Sequence, residues 1–309
     1  MAVTNGPDLS FSIGNSFFRN PVFSASGTFG YGKEFENFVN LRRLGAIIVK
    51  GISLEPRKGN PPPRIVETSC GMLNAIGLEN VGLERFITEK LPYLKGIGTP
   101  VLVNILGDSL EDYQRLAERL NGVEGISAIE VNISCPNVKK GGVAFGTDPE
   151  MAFAVTQCVK QQSRVPVIVK LSPNVTDITA IAQAVERAGA DGVSLINTVL
   201  GMAIDIHTRR PKLANIVGGL SGPAIKPIAL RMVWQVARAV EIPVIGIGGI
   251  FSAADAIEFF LAGATAVEIG TANFVNPGAT EEILNGIVDY LQKNHLGSLQ
   301  DLVGGLRLP

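Results

Sequence analysis

The segment Asn132-Ile-Ser-Cys-Pro-Asn137 puts a thiol, a hydroxyl and two amides just past an apolar run. Cys135 is the reactive group in it. A free thiol ionises near pH ~8.5, so surroundings that favour thiolate bring it within reach of neutral pH, where it can act as a general base. Pro136 and the Gly141-Gly142 pair mark the segment as a lid over a site. A structural cysteine belongs on a buried apolar face. Cys158 fits that description, lying beside Ala154 and Val155, whereas Cys135 stands between two asparagines. Cys70 adjoins a candidate substrate loop, and its role stays open.

Other polar residues recur at equivalent places near the ends of apolar runs. Lys50 ends Ala46-Ile-Ile-Val-Lys50, Asn104 lies in Val101-Leu-Val-Asn-Ile105, and Asn132 closes Ala128-Ile-Glu-Val-Asn132. Lys170 lies in Val167-Ile-Val-Lys-Leu171, and Asn197-Thr198 follows Gly192-Val-Ser-Leu-Ile196. Ordinary strand–loop junctions give mixed Ser, Asp and Gly. Repeated lysines and asparagines suit a site that orients a polar ligand and meets developing negative charge. Two more runs, Val244-Ile-Gly-Ile-Gly-Gly249 and Ala266-Val-Glu-Ile-Gly270, end in glycine; Gly246-Ile-Gly-Gly-Ile250 lies ahead of a helix starting at Ser252, and Glu268-Ile-Gly-Thr-Ala272 ends the second run. Glycines let backbone N–H groups approach an anion, and a helix N-terminus favours negative charge. A phosphate ester is the expected ligand there, as part of a substrate or as a cofactor tail.

These positions imply the elements that hold them. Together with Val22-Phe-Ser-Ala-Ser-Gly27 they make eight short apolar runs, as parallel strands buried on both faces require. Helical spacing separates them: residues 109–120 behind a Ser cap, 177–188 behind an Asp cap and closed by Gly189, and 252–261 closed by Gly263. Eight β-then-α units imply a single α/β domain over 1–309, a (β/α)8 TIM barrel, with catalytic groups at the C-terminal strand ends. An open sheet would need a reversal of strand order, which the sequence alone leaves open. Residues 9–19, with Gly14-Asn15 in the middle, predict a β-hairpin closing the barrel bottom. Residues 52–99 and 199–222 are too long for simple connections and predict insertions after strands two and six.

Bulk composition narrows the class. Hydrophobic residues are 46% and charged residues 18% of 309, with a net charge of −1, so a large core is expected and nucleic acid or an acidic membrane surface is not. No apolar stretch approaches the roughly 18 residues of a membrane span. The N-terminal residues MAVTNGPDLSFSIGNSFFRN lack the basic and apolar regions of a signal peptide. Three widely spaced cysteines without a Cys-x-x-Cys pair argue against disulfides, structural zinc or an iron–sulfur cluster, and a reducing cytoplasm fits best. Trp234 reads as core, His207 as solvated or at an interface, and His295 as solvent-facing.

Taken together, the chain resembles the dihydroorotate dehydrogenase family over essentially its whole length. The likeness lies in Ala25-Ser-Gly27, Lys50-Gly51, Asn74-Ala-Ile-Gly-Leu-Glu-Asn80, Asn132-Ile-Ser-Cys-Pro-Asn137, Asn197-Thr198, Ser221-Gly222, Gly248-Gly249 and Gly270-Thr271. The resemblance implies FMN, contacted by Ser26, Lys50, Gly51, Asn104, Asn132, Lys170, Ile196, Gly222, Gly248, Gly249, Gly270 and Thr271. It implies dihydroorotate on Lys50, Asn74, Ala75, Ile76, Gly77, Leu78, Asn132, Asn197 and Thr198. Cys135 would remove a proton from C5 of dihydroorotate while hydride passes from C6 to the flavin, giving orotate for pyrimidine synthesis. Lys50 would face both flavin and substrate, and Lys170 the negative charge near N1 of the reduced ring. Cysteine as the base resembles the soluble class, and Asn137-Val-Lys-Lys-Gly-Gly-Val-Ala-Phe-Gly-Thr147 resembles its NAD-linked subclass (1B). That subclass implies a catalytic-subunit homodimer joined to two electron-transfer subunits carrying FAD and a 2Fe–2S cluster. The chain itself has no Gly-x-Gly-x-x-Gly strand–helix unit for NAD. Three other readings stay open: the fumarate-linked sister enzyme (1A), a Schiff-base aldolase using Lys50 or Lys170, and a non-catalytic interaction barrel.

Overall fold

The computed structural model describes residues 6–134 and 145–309. Eight strands form a closed barrel: β1 (Val22–Ser24), β2 (Ala46–Ile48), β3 (Val101–Ile105), β4 (Ala128–Asn132), β5 (Val167–Lys170), β6 (Gly192–Leu195), β7 (Val244–Ile247) and β8 (Ala266–Ile269). Neighbours pair in parallel and follow chain order all the way round, with no reversal. Most strands stop short of their apolar runs. β1 ends before Ser26, β2 before Lys50 and β6 before Asn197, so these residues leave the ladder, while Asn104, Asn132 and Lys170 stay paired within it.

Helices α1 (Leu91–Ile97), α2 (Leu110–Leu120), α3 (Pro149–Gln162), α4 (Ile178–Arg187), α5 (Lys226–Ala237), α6 (Ala253–Leu261) and α7 (Ala279–Lys293) surround the barrel. The predicted caps are in place. Ser109 Oγ accepts from the Asp112 N–H at 3.1 Å, and the Asp177 carboxylate accepts from the Thr179 N–H at 2.9 Å. One expected unit differs: between β1 and β2 there is no α-helix, only 3-10 turns at Lys33–Phe35 and Leu41–Arg43. Gly27, Gly30 and Gly32 all take positive φ there, which breaks a helix before it can propagate.

Two layers of core hold the barrel. Outward residues such as Ile47, Val103, Val131 and Val169 pack against the helices. Inward residues Phe23, Ile48, Leu102, Ile168 and Ile245 meet the hairpin formed by Phe11–Ile13 and Ser16–Phe18. The Phe11 and Phe18 rings stack at 5.2 Å, and Phe18 lies 5.0 Å from Phe23. Ser16 Oγ donates to the Ser127 carbonyl, at the entry to β4, so the hairpin seals the N-terminal end as predicted.

The two insertions, read separately in the sequence, form one element. Strands Val199–Met202, Val217–Ser221, Gly71–Asn74 and Ile65–Thr68 pair in that order as a four-stranded antiparallel sheet. It stands over the C-terminal mouth, where it walls a cavity. Among the described residues no helix is long and apolar enough to cross a membrane.

Candidate functional site

Strand geometry stacks a polar layer on the apolar plug. Side chains alternate along a strand, so residues two apart share a face. Leu102, Ala128, Ile168 and Ala266 face the plug. Two residues further on come Asn104, Glu130, Lys170 and Glu268, all buried inside the barrel with Ser194. The Asn104 amide donates to Glu130 Oε2 at 2.6 Å, and Ser194 Oγ donates to Glu130 Oε1 at 2.7 Å. Lys170 Nζ donates to Glu268 Oε2 at 2.9 Å and to Ser26 Oγ at 3.2 Å, and lies 3.6 Å from Glu130 Oε1.

Burial would discharge each of these groups, but their pairing decides the outcome. Burial pulls the Lys170 ammonium down, yet the Glu130 and Glu268 carboxyls around it outweigh that and raise its pKa. Burial also opposes charge on Glu130, but Lys170 and the bonds from Ser194 and Asn104 hold it below the usual carboxylate range. Glu268 is pushed well above that range, first by burial and then by the neighbouring Glu130. The sequence reading missed both glutamates. Their signal was available: a charged residue inside an apolar run, in step with Asn104 and Lys170.

Above this layer lies a cavity of about 820 Å³. Every site residue expected from the sequence lines it, among the described residues. Asn104 and Lys170 come from the buried floor, and Ser26, Lys50, Gly51, Asn132, Ile196, Asn197 and Thr198 from the barrel rim. Asn74, Ala75, Ile76, Gly77 and Leu78 come from the first insertion, and Gly222, Gly248, Gly249, Gly270 and Thr271 from the opposite side. Cys135 lies outside the described residues. Asn132, at the start of its segment, is fixed from two sides: the Tyr113 hydroxyl donates to its carbonyl at 2.7 Å, and its Oδ1 accepts from the Ser134 N–H at 3.2 Å. The Asn197 amide reaches the same Oδ1 at 3.4 Å.

The first-insertion loop is held rigidly at the rim. The Asn60 amide donates to the Ala75 carbonyl at 3.0 Å, the Asn60 N–H to the Ile76 carbonyl at 2.9 Å, and Arg64 pairs with Glu79 at 2.6 Å. Asn174, not singled out in the sequence, also lines the cavity, and its amide donates to the Thr198 carbonyl at 3.0 Å.

The glycine side forms a tight cradle. Gly249 has φ +74, and a Cβ there would meet the Lys226 nitrogen at 2.8 Å and the Gly222 carbonyl at 2.9 Å. The helix after β7 opens with a capping box: Ser252 Oγ accepts from the Asp255 N–H at 3.2 Å, and the Asp255 carboxylate accepts from the Phe251 and Ser252 N–H groups at 3.0 and 2.9 Å, just ahead of the first turn.

A family model described as dihydroorotate dehydrogenase matches residues 8–291. The chain belongs to the dihydroorotate dehydrogenase family. It is 60% identical over 302 residues to a protein of Geotalea daltonii, covering 98% of this chain and 99% of that one. It is 59% identical over 302 residues to a protein of Geobacter sulfurreducens, again covering 98% and 99%. With a protein of Trichlorobacter lovleyi it shares 58% identity over 300 residues, 97% of this chain and 99% of the other. All three relatives are named dihydroorotate dehydrogenase B (NAD(+)), catalytic subunit.

Proposed function

We propose that this chain is the catalytic subunit of an NAD-linked dihydroorotate dehydrogenase, oxidising dihydroorotate to orotate in cytoplasmic pyrimidine synthesis. The observation that carries the reading is the cavity, in which a lysine-bearing polar floor, an asparagine-rich rim and a glycine cradle face one another within a family member. FMN is the cofactor that fits. The Gly249 cradle has room for backbone approach to a phosphate and none for a side chain, and Lys170 supplies a fixed charge at the floor. Bound there, FMN supplies the hydride acceptor that the protein lacks.

The chain's residues bind, orient and move protons. Gly222, Gly248, Gly249, Gly270 and Thr271 would hold the phosphate, and Ser26, Gly51, Asn104 and Ile196 would line the ring. Asn74, Asn132, Asn197 and Thr198 hydrogen-bond the pyrimidine and its carboxylate, with Ala75 to Leu78 as the backbone wall. Such fixed orientation can remove several kcal/mol of barrier. Lys50 pairs with charge developing between substrate and cofactor, and Cys135 takes the proton from C5. A Schiff-base role for Lys170 is disfavoured, since that role needs a neutral amine and the carboxyls around Lys170 raise its pKa.

Electrons then leave through a partner. The relatives are designated catalytic subunits, which supports a partner subunit; from the resemblance to the NAD-linked subclass we take that partner to carry FAD and a 2Fe–2S cluster, two of each subunit around a catalytic dimer. Phe274 and Val275, 54% and 75% exposed just past Thr271, give the cavity rim an apolar shoulder of the sort partners cover.

Cys135→Ala tests the chemistry. The variant should retain yellow flavin and lose about 10²–10⁴-fold in flavin reduction by dihydroorotate. Unchanged reduction would remove Cys135 from the mechanism.

A further inference from the structure

Beneath the cavity the barrel buries two carboxyls around one ammonium, with Glu130 0%, Glu268 1% and Lys170 5% exposed. If all three were ionised, the floor would carry a net negative charge in a site shielded from water, an arrangement that buried groups avoid by taking up a proton. The hydrogen bonds say which carboxyl takes it. Both oxygens of Glu130 receive donors, from Asn104 at 2.6 Å and Ser194 at 2.7 Å, which is the environment of a carboxylate. Glu268 Oε1 is buried and receives no donor. Lys170 approaches Glu268 more closely than Glu130, at 2.9 against 3.6 Å. The nearer contact occupies Oε2 of Glu268 and leaves its Oε1 as the carboxyl oxygen without a donor, which is the place for the proton.

We propose that Glu130 and Glu268 are positioning residues for Lys170: they share a single proton, carried on Glu268, so Lys170 is held charged and fixed under the mouth while the cluster as a whole stays neutral. Among the described residues, the charged or titratable groups of the cluster are Glu130 on β4, Lys170 on β5 and Glu268 on β8; the uncharged Ser194 and Asn104 bond Glu130, and Ser26 bonds Lys170. Two carboxyls around one cation titrate as a unit. The pair therefore fixes the charge presented to whatever binds above Lys170.

The test has two arms. Infrared spectroscopy of the wild-type protein with carbon-13 glutamate, at neutral pH, should show a labelled protonated-carboxyl stretch that Glu268→Gln abolishes. This arm needs no cofactor. The second arm rests on the FMN reading. Because glutamine replaces an already neutral acid, Glu268→Gln should leave the flavin midpoint potential unchanged. The double variant E130Q/E268Q, which strands Lys170 without a counter-charge, should raise it by a tenfold or larger shift in the two-electron equilibrium, about 30 mV. Absence of the stretch, its survival in Glu268→Gln, or a tenfold shift in that single variant would overturn the proposal. Should Glu268→Gln not fold, the stretch in the wild-type spectrum decides alone. A stretch without bound flavin would sink the cofactor reading and leave the proton in place.

Discussion

Asn74 lies opposite Gly219 across the sheet that joins the two insertions, and its amide donates to the Gly219 carbonyl at 3.3 Å over 145 residues of chain. The candidate substrate loop is therefore positioned by the second insertion as much as by its own. Gly219 must be bare, because a Cβ there would overlap the Thr198 hydroxyl. Gly219→Ala should displace Asn74 and Thr198 together. Steady-state kinetics should show the KM for dihydroorotate rising about tenfold, roughly 1.4 kcal/mol, with bound flavin retained. An unchanged KM would separate this sheet from substrate binding.

Gly249→Ala addresses the cradle. The residue has φ +74 and backbone atoms on two sides, so a methyl group costs about 1–3 kcal/mol in strain and displacement. The variant should purify with little or no flavin, and titration with FMN should give an affinity at least about tenfold weaker.

Removing the cation tests the polar floor. Lys170→Met strands two buried carboxyls, and breaking such a cluster typically costs about 3–5 kcal/mol. The pH dependence has a definite sign. Glu130 has a depressed pKa in the fold, so its stabilisation is fully present above its ordinary value of 4.5 and is lost as pH falls below it. Thermal melts of wild type and variant should therefore differ most at neutral pH and converge in acid.

Cys158 is half-buried on α3, its Sγ 3.1 Å from the Val155 carbonyl, and burial pushes its thiol up to about 11. It should resist alkylation of the native protein at pH ~8, where little thiolate exists. The exposed Cys70 should label readily. Mass spectrometry of peptides from the folded protein reads both sites.

Much of this architecture was legible in the sequence because barrel strands carry a strong local signal. Apolar runs such as Val101–Ile105 are buried on both faces, and caps such as Ser109 and Asp177 announce the next helix. The site residues stood out because Lys50, Asn132 and Asn197 break apolar runs near their ends, where barrel chemistry is placed. Three features escaped. The β1–β2 connection lacks its helix because three glycines adopt positive φ, a choice made by backbone context. The shared sheet depends on pairing between Gly71–Asn74 and Val217–Ser221, which no local pattern encodes. Glu130 and Glu268 were hidden by the expectation that charge within an apolar run marks a strand end, whereas here it marks a second interior layer.

The most direct measurement is anaerobic mixing of the purified, flavin-loaded chain with dihydroorotate, followed by flavin absorbance. The flavin should bleach as orotate appears in equal amount, and NAD should restore its colour only after the electron-transfer subunit is added. A flavin that stays oxidised in the presence of dihydroorotate, or one that fumarate rapidly reoxidises on the chain alone, would contradict the assignment.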